Sequence, residues 1–194
     1  MEAPLPEAGT VRISSRSAAA ARTRTALVDA GFRLSERTGL TGLSVNLVVE
    51  EAQVSKGTFF HHFGDRASYL LALHRDFHER LLVEILDSID GLAPGVERLV
   101  RSAEAYLDAC LRQRGVRALL LEARAEPAIA REVSARNASS AALCKPDFVA
   151  IGRAHPLESA RLWVAMTAEA ALVELEAGRR RRGVRSALAR YLQP

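Results

Sequence analysis

The stretch Leu43–Phe63 constrains this chain more than any other. Ser44 and Ser55 each stand at the head of a short helical pattern, with Gln53-Val54 as the turn between the two. A serine at that place caps a helix because its hydroxyl accepts one of the backbone N–H groups that the first turn leaves unpaired. On the first helix Leu47, Val48 and Ala52 offer a face to bury. On the second, Phe59 and Phe63 lie four apart and share an inward face. Lys56, Thr58, His61 and His62 then point elsewhere. A short helix held by an aromatic pair, showing a cation, a hydroxyl and two imidazoles, has the size and chemistry to enter a DNA major groove.

The rest of the chain sets this pair of helices in an all-α protein. Hydrophobic residues make up 48% of the 194 positions and aromatics only 5%, so the core rests on Leu, Ala and Val. Ala and Leu favour helix over strand, and neither a sustained two-residue alternation nor an Asn-Gly or Asp-Gly hairpin turn occurs. The pattern predicts about nine helices. The first spans about 17–38, stopped by Gly39, with Leu27, Val28, Ala30, Phe32 and Leu34 inward. After the two short helices, Asp65 caps a long helix over about 66–89. Others are expected over about 96–113, 116–124 (set apart by Gly115), 127–143 (broken at Lys145-Pro146), 156–178 and 184–192. A turn is expected over 147–151. Pro127 and Pro156 suit first helical positions. Residues 1–14 read as a disordered tail, residues 15–64 as a three-helix unit and residues 65–194 as a larger helical domain.

Charge follows the same division. Residues 10–66 carry eight Lys/Arg against five Asp/Glu, residues 67–177 thirteen against sixteen, and residues 178–194 six Arg and no acid. A basic front end on a mildly acidic body fits a nucleic-acid module joined to a domain with other work. The Arg179–Arg182 run is either a solvated loop or a grip on nucleic acid, and Arg12 and Arg16 are either tail or a DNA-reaching arm. Cys110 and Cys144 are far apart, which argues against a disulfide framework or a zinc site. His74 and His78 have the i, i+4 spacing of metal ligands but no evident third partner, so no metal or cofactor is expected. No apolar leader opens the chain, and Leu162–Leu175 is too short and too acidic to span a bilayer. A cytoplasmic protein without membrane attachment is the expectation.

Ser44-Val45, then Val54-Ser55-Lys56-Gly57-Thr58-Phe59-Phe60-His61-His62-Phe63, then Asp65-Arg66 resemble the TetR family of bacterial transcriptional repressors, over about residues 22–75. The resemblance implies that Ser44 and Phe60 meet phosphates, with His62 and Arg66 at further phosphate positions. It places Lys56, Gly57, Thr58 and His61 where members approach bases or backbone in the groove, and Ser55 is a further DNA-binding candidate. Phe60 stands where many members carry Tyr, Gln53 where a turn glycine is usual, Val49 where a small alanine is usual, and Ser35 where a core phenylalanine is common. The resemblance further implies double-stranded DNA with a palindromic operator as partner. It also implies a homodimer through the Pro156–Gly178 and Val184–Leu192 helices and release from DNA by a small-molecule effector.

Candidates for the effector site are Tyr106, Arg124, Asn137, Trp163, Met166 and Glu169. Each has a structural alternative: the aromatics and Met166 as core, Glu169 at a subunit seam or on an exposed stripe. Two other functions stay open, a helical enzyme and a non-specific nucleic-acid binder using the Arg-rich C-terminus. No catalytic constellation supports the first. The C-terminal arginines support the second.

Overall fold

The structure is a computed structural model that describes residues 15–193, with the side chains of residues 15, 16 and 39–41 left aside. The expectations for the 1–14 tail and for an arm at Arg12 and Arg16 lie outside what is described. The described residues form nine α-helices and one 3-10 turn: α1 Ser15–Gly42, α2 Val45–Glu51, α3 Lys56–Phe63, α4 Arg66–Ser88, α5 Val96–Arg112, α6 Arg114–Glu122, the turn Ala123–Ala125, α7 Pro127–Ala150, α8 Pro156–Ala177 and α9 Arg182–Arg190. The architecture is all-α, a three-helix unit followed by a larger helical domain.

One continuous core runs through both parts. Leu27, Val28 and Leu34 of α1 pack with Val48, Val49, Phe59 and Phe63, and Tyr69, Leu70, Leu73, Phe77 and Leu81 carry the core along α4. Burying a side chain of that size is worth roughly 1.5–3 kcal/mol relative to exposing it, so the five on α4 make it the central beam. The Tyr69 hydroxyl donates to the Leu27 carbonyl at 2.8 Å, which satisfies the one polar atom of that stripe.

Several local readings give way to tertiary packing. α1 does not stop at Gly39 but continues to Gly42. A glycine inside a helix costs only about 1 kcal/mol, and the longer helix delivers Leu43 into the core. On α2 the buried stripe is Val48 and Val49, with Val45 and Ala52 beside them, whereas Leu47 is exposed. The i, i+3, i+4, i+7 row starts at Val45. Gly115 is no separator. It sits in the first turn of α6, where an added Cβ would lie 2.5 Å from the Glu36 Cα, so α6 crosses directly against the backbone of α1. Ser35, small and buried, permits that crossing.

α7 passes through Pro146 and runs to Ala150, and no separate turn forms at 147–151. A proline interior to a helix removes one hydrogen bond and costs about 3 kcal/mol. The next residue offsets it. Asp147 is buried and accepts from Arg98 Nε at 2.6 Å, from Arg98 Nη2 at 2.8 Å and from the Gly95 N–H at 2.9 Å. The last helix begins at Arg182, two residues before the expected start.

The C-terminal arginines are partly committed within the fold. Glu174 on α8 is 0% exposed and accepts from the Arg181 N–H at 2.8 Å and from Arg185 Nε and Nη2 at 2.9 and 2.7 Å. Arg185 also pairs with Asp108 at 2.8 Å, and Arg180 pairs with the same carboxylate. α9 is thereby fastened across α5 and α8.

Candidate nucleic-acid interface

The two serine caps form as the spacing requires. Ser44 Oγ accepts the Leu47 N–H at 3.3 Å, and Ser55 Oγ accepts the Thr58 N–H at 3.1 Å while lying 2.9 Å from the Thr58 hydroxyl. Between them Gln53 takes φ 55°, the left-handed conformation that turns α2 into α3. A non-glycine residue holds it at a cost of roughly 1–2 kcal/mol. α2 is tied back to α1 by Glu51, whose carboxylate receives Arg33 and Arg37, each at 2.7 Å. Those hydrogen bonds, Arg33 first, hold its pKa below the ordinary glutamate value.

α3 is gripped from one side only. Phe59 is 0% exposed, and its ring lies 5.4 Å from Phe63 and 5.0 Å from Tyr69. Gly64, at φ 74°, ends the helix, and Asp65 starts α4 by accepting the Ser68 N–H at 2.7 Å. With the aromatic side inward, Lys56, Gly57, Phe60 and His61 are exposed, and Thr58 and His62 are half-buried at the margin. Ser44 and Ser55 are exposed beside them. Burial, followed by the charges of His61 and Arg24, lowers the His62 pKa. Arg66 is half-buried and donates from Nε to the Leu43 carbonyl at 3.2 Å, a link between α4 and the start of α2 that its sequence position did not suggest. Arg24, whose guanidinium lies 5.4 Å from the Phe63 ring centre, adds a cation next to α3.

A cavity of about 230 Å³ lies in the second domain, among α4, α5, α7 and α8. Tyr106, Asn137 and Trp163 line it, and Arg124, Met166 and Glu169 do not. Arg124 and Glu169 are exposed, and Met166 is half-buried against the core. His78, Arg136, Cys144 and Thr167, absent from the sequence candidates, stand on its wall. His74 is buried, with its ring 4.4 Å from that of His78. Among the described residues no three His, Cys, Asp or Glu side chains gather as a metal site, and no helix is long and apolar enough to cross a membrane.

A capped, one-sidedly buried helix after a tight turn, presented by a helical body with its own cavity, defines a helix-turn-helix DNA-binding regulator. Residues 27–73 match the family described as bacterial regulatory proteins, tetR family. The stretch 27–73, which holds the helix-turn-helix, is thus of the tetR type. The fold is similar to that of a transcriptional regulator from Rhodococcus sp. RHA1, with 23% identity, TM-score 0.74, and 86% of this chain and 91% of that one covered. It is similar to a second, TetR-like regulator from the same strain at 17% identity and TM-score 0.65, covering 88% and 91%. It is likewise similar to the multidrug binding protein EbrR complexed with imidazole, at 23% identity and TM-score 0.71, covering 88% and 95%. Comparison with curated proteins gives no match.

Proposed function

We propose that the protein is a cytoplasmic, homodimeric repressor that leaves a palindromic operator when a small molecule fills the cavity of its second domain. Residues 15–64 would form the DNA-binding domain and residues 65–194 the effector and dimerisation domain. The observation that carries this reading is the course of α4. Its first turn follows directly from α3, its residues His78 to Leu86 line the cavity, and a helix of 23 residues spans about 35 Å as one body. A ligand that prefers one setting of α4 therefore biases the position of α3. It shifts the equilibrium only by its difference in affinity for the two settings.

In this reading Lys56, Gly57, Thr58 and His61 meet base edges or the groove backbone. Lys56 suits a guanine edge and Thr58 a thymine methyl. Ser44, Ser55, Phe60, His62 and Arg66 position the phosphates. Phe60, 48% exposed, has no hydroxyl and acts there through its ring. Two copies joined through α8 and α9 would set their α3 helices about 34–36 Å apart, one turn of DNA. Leu162, 65% exposed on α8, and Tyr191 just after α9 offer an apolar surface to that pairing.

Selection of bound DNA from a random pool is the test. A palindromic consensus is expected. Lys56→Ala and Thr58→Ala should each weaken its binding by about 1–3 kcal/mol while relaxing preference at particular base pairs. Recovery of no consensus, or uniform weakening across all sequences, would overturn the base-reading assignment.

A further inference from the structure

The walls of the cavity differ along its length. Leu81, Leu82, Ile85, Leu143, Trp163 and Val164 make it apolar over its middle. At one end Arg98 and Asp147 form a bidentate pair that the Gly95 N–H completes, so that end is locally neutral and its carboxylate oxygens are occupied. The other end, at His78, Tyr106, Arg136 and Asn137, is built differently. Eleven residues of α7 separate Arg136 from Asp147, which puts the two ends about 16 Å apart.

Positive charge is in excess at the second end. Arg117 on α6 is 3% exposed, its Nε has no hydrogen-bond partner, and among the described residues no carboxylate pairs with it. Arg136 Nε and the Nδ1 of buried His74 are also without partners. Glu132, the carboxylate whose charge acts on His74, is shared between Arg75 at 2.9 Å and Arg136 at 3.4 Å. The field is felt by the neighbours. Burial first, and then the charges of Arg136, Arg117 and Arg124, drive the His74 pKa down to about 4, although Glu132 acts in the opposite sense. The same burial and the same three arginines, with His74, hold His78 neutral as well. A buried cation without a counter-charge is costly, and proteins keep such a group where something else supplies the charge.

We propose that the cavity binds an amphipathic carboxylate, a monocarboxylic acid with a long apolar tail, its headgroup at His78, Arg136 and Asn137 with Arg117 behind them. The tail lies along the apolar middle toward the Arg98–Asp147 end. A cationic ligand finds no free carboxylate, because Asp147 is saturated and Glu132 is shared. A neutral ligand leaves Arg117 and the free Arg136 Nε uncompensated. A singly charged anion corrects both, and Asn137 offers an amide N–H as a further donor. The assignment rests on reading this cavity as the effector site.

Trp163, the single tryptophan of the chain, lines the cavity and reports occupancy without DNA. The full-length protein is titrated with decanoate, decanol, decyl phosphate and decyltrimethylammonium, each below its micelle concentration, and Trp163 emission is followed. Decanoate is expected to saturate at least tenfold more tightly than any of the other three. Arg136→Gln and Arg117→Leu are each expected to remove most of that preference for the acid over the alcohol. Should Arg117→Leu fail to fold, the wild-type comparison and Arg136→Gln decide alone. Equal affinity for acid and alcohol, tighter binding of the phosphate, a preference unchanged in Arg136→Gln, or no binding by saturated acids of six to sixteen carbons would each overturn the proposal. The same titration is repeated with operator DNA present. Decanoate binding without release of DNA would overturn the effector reading and leave the carboxylate site standing. Release of DNA by decanol as readily as by decanoate would do the reverse.

Discussion

Glu174 shows how much one side chain decides in this protein. Burial alone would raise its pKa, but the hydrogen bonds from Arg185 and from the Arg181 N–H outweigh burial, and the folded value lies below the ordinary 4.5. Removing the charge leaves Arg185 with only Asp108 and breaks the seam between α8 and α9. Glu174→Gln is expected to destabilise the protein by about 3 kcal/mol at neutral pH, as measured by urea unfolding. The sign of the pH dependence follows from the lowered folded pKa. The contribution is complete above the unfolded value of 4.5 and is lost as pH falls through the folded value, so the gap between wild type and variant should close in acid.

At the scale of the element, α3 is defined by its two ends and one face. Ser55 holds its start, Gly64 its end, and Phe59 with Phe63 its depth in the core. The turn before it is the weak point, since Gln53 sits at φ 55° where a glycine would rest without a Cβ conflict. Gln53→Gly is expected to raise stability by about 1 kcal/mol, read as a higher denaturation midpoint with an unchanged slope. A fall in stability would mean that the Gln53 side chain has a role beyond the turn. α7 shows the opposite case, a helix with an adverse residue at Pro146 that is carried through by the clamp on Asp147.

At the scale of the whole molecule, two connections among the described residues tie the three-helix unit most closely to the cavity domain. One is α4. The other is the crossing of α6 on α1, where Gly115 lies against Ser35 and Glu36 and its N–H donates to Glu36 Oε1 at 3.0 Å. Gly115→Ala places a methyl against backbone rather than against a movable side chain. It is expected to cost about 2 kcal/mol and to alter operator affinity, since the seam must shift. The α8 surface belongs to the same scale. Leu162→Glu is expected to convert a dimer to monomers in analytical ultracentrifugation and to lower operator affinity at least tenfold; a monomeric wild type would refute the pairing.

What the sequence alone determined was local. Serine caps at 44 and 55, Asp65, the prolines opening α7 and α8 and the Phe59–Phe63 pair all act within about four residues of themselves, and all were legible. The motif that names the family is built from such terms. The tertiary structure decided what depends on distant partners. Arg98 and Asp147 are 49 residues apart and Gly115 and Glu36 are 79 apart, so neither pairing has a signature in spacing. For the same reason α7 crosses Pro146, α1 outruns Gly39, and Tyr106, Asn137 and Trp163 share a wall while Glu169 lies outside it, exposed on the single chain. Which arginine lacks a counter-charge is also a fact about neighbours in space. Each residue type carries its own chemistry, but whether that chemistry is satisfied within the chain or left for a ligand is settled only when the helices pack.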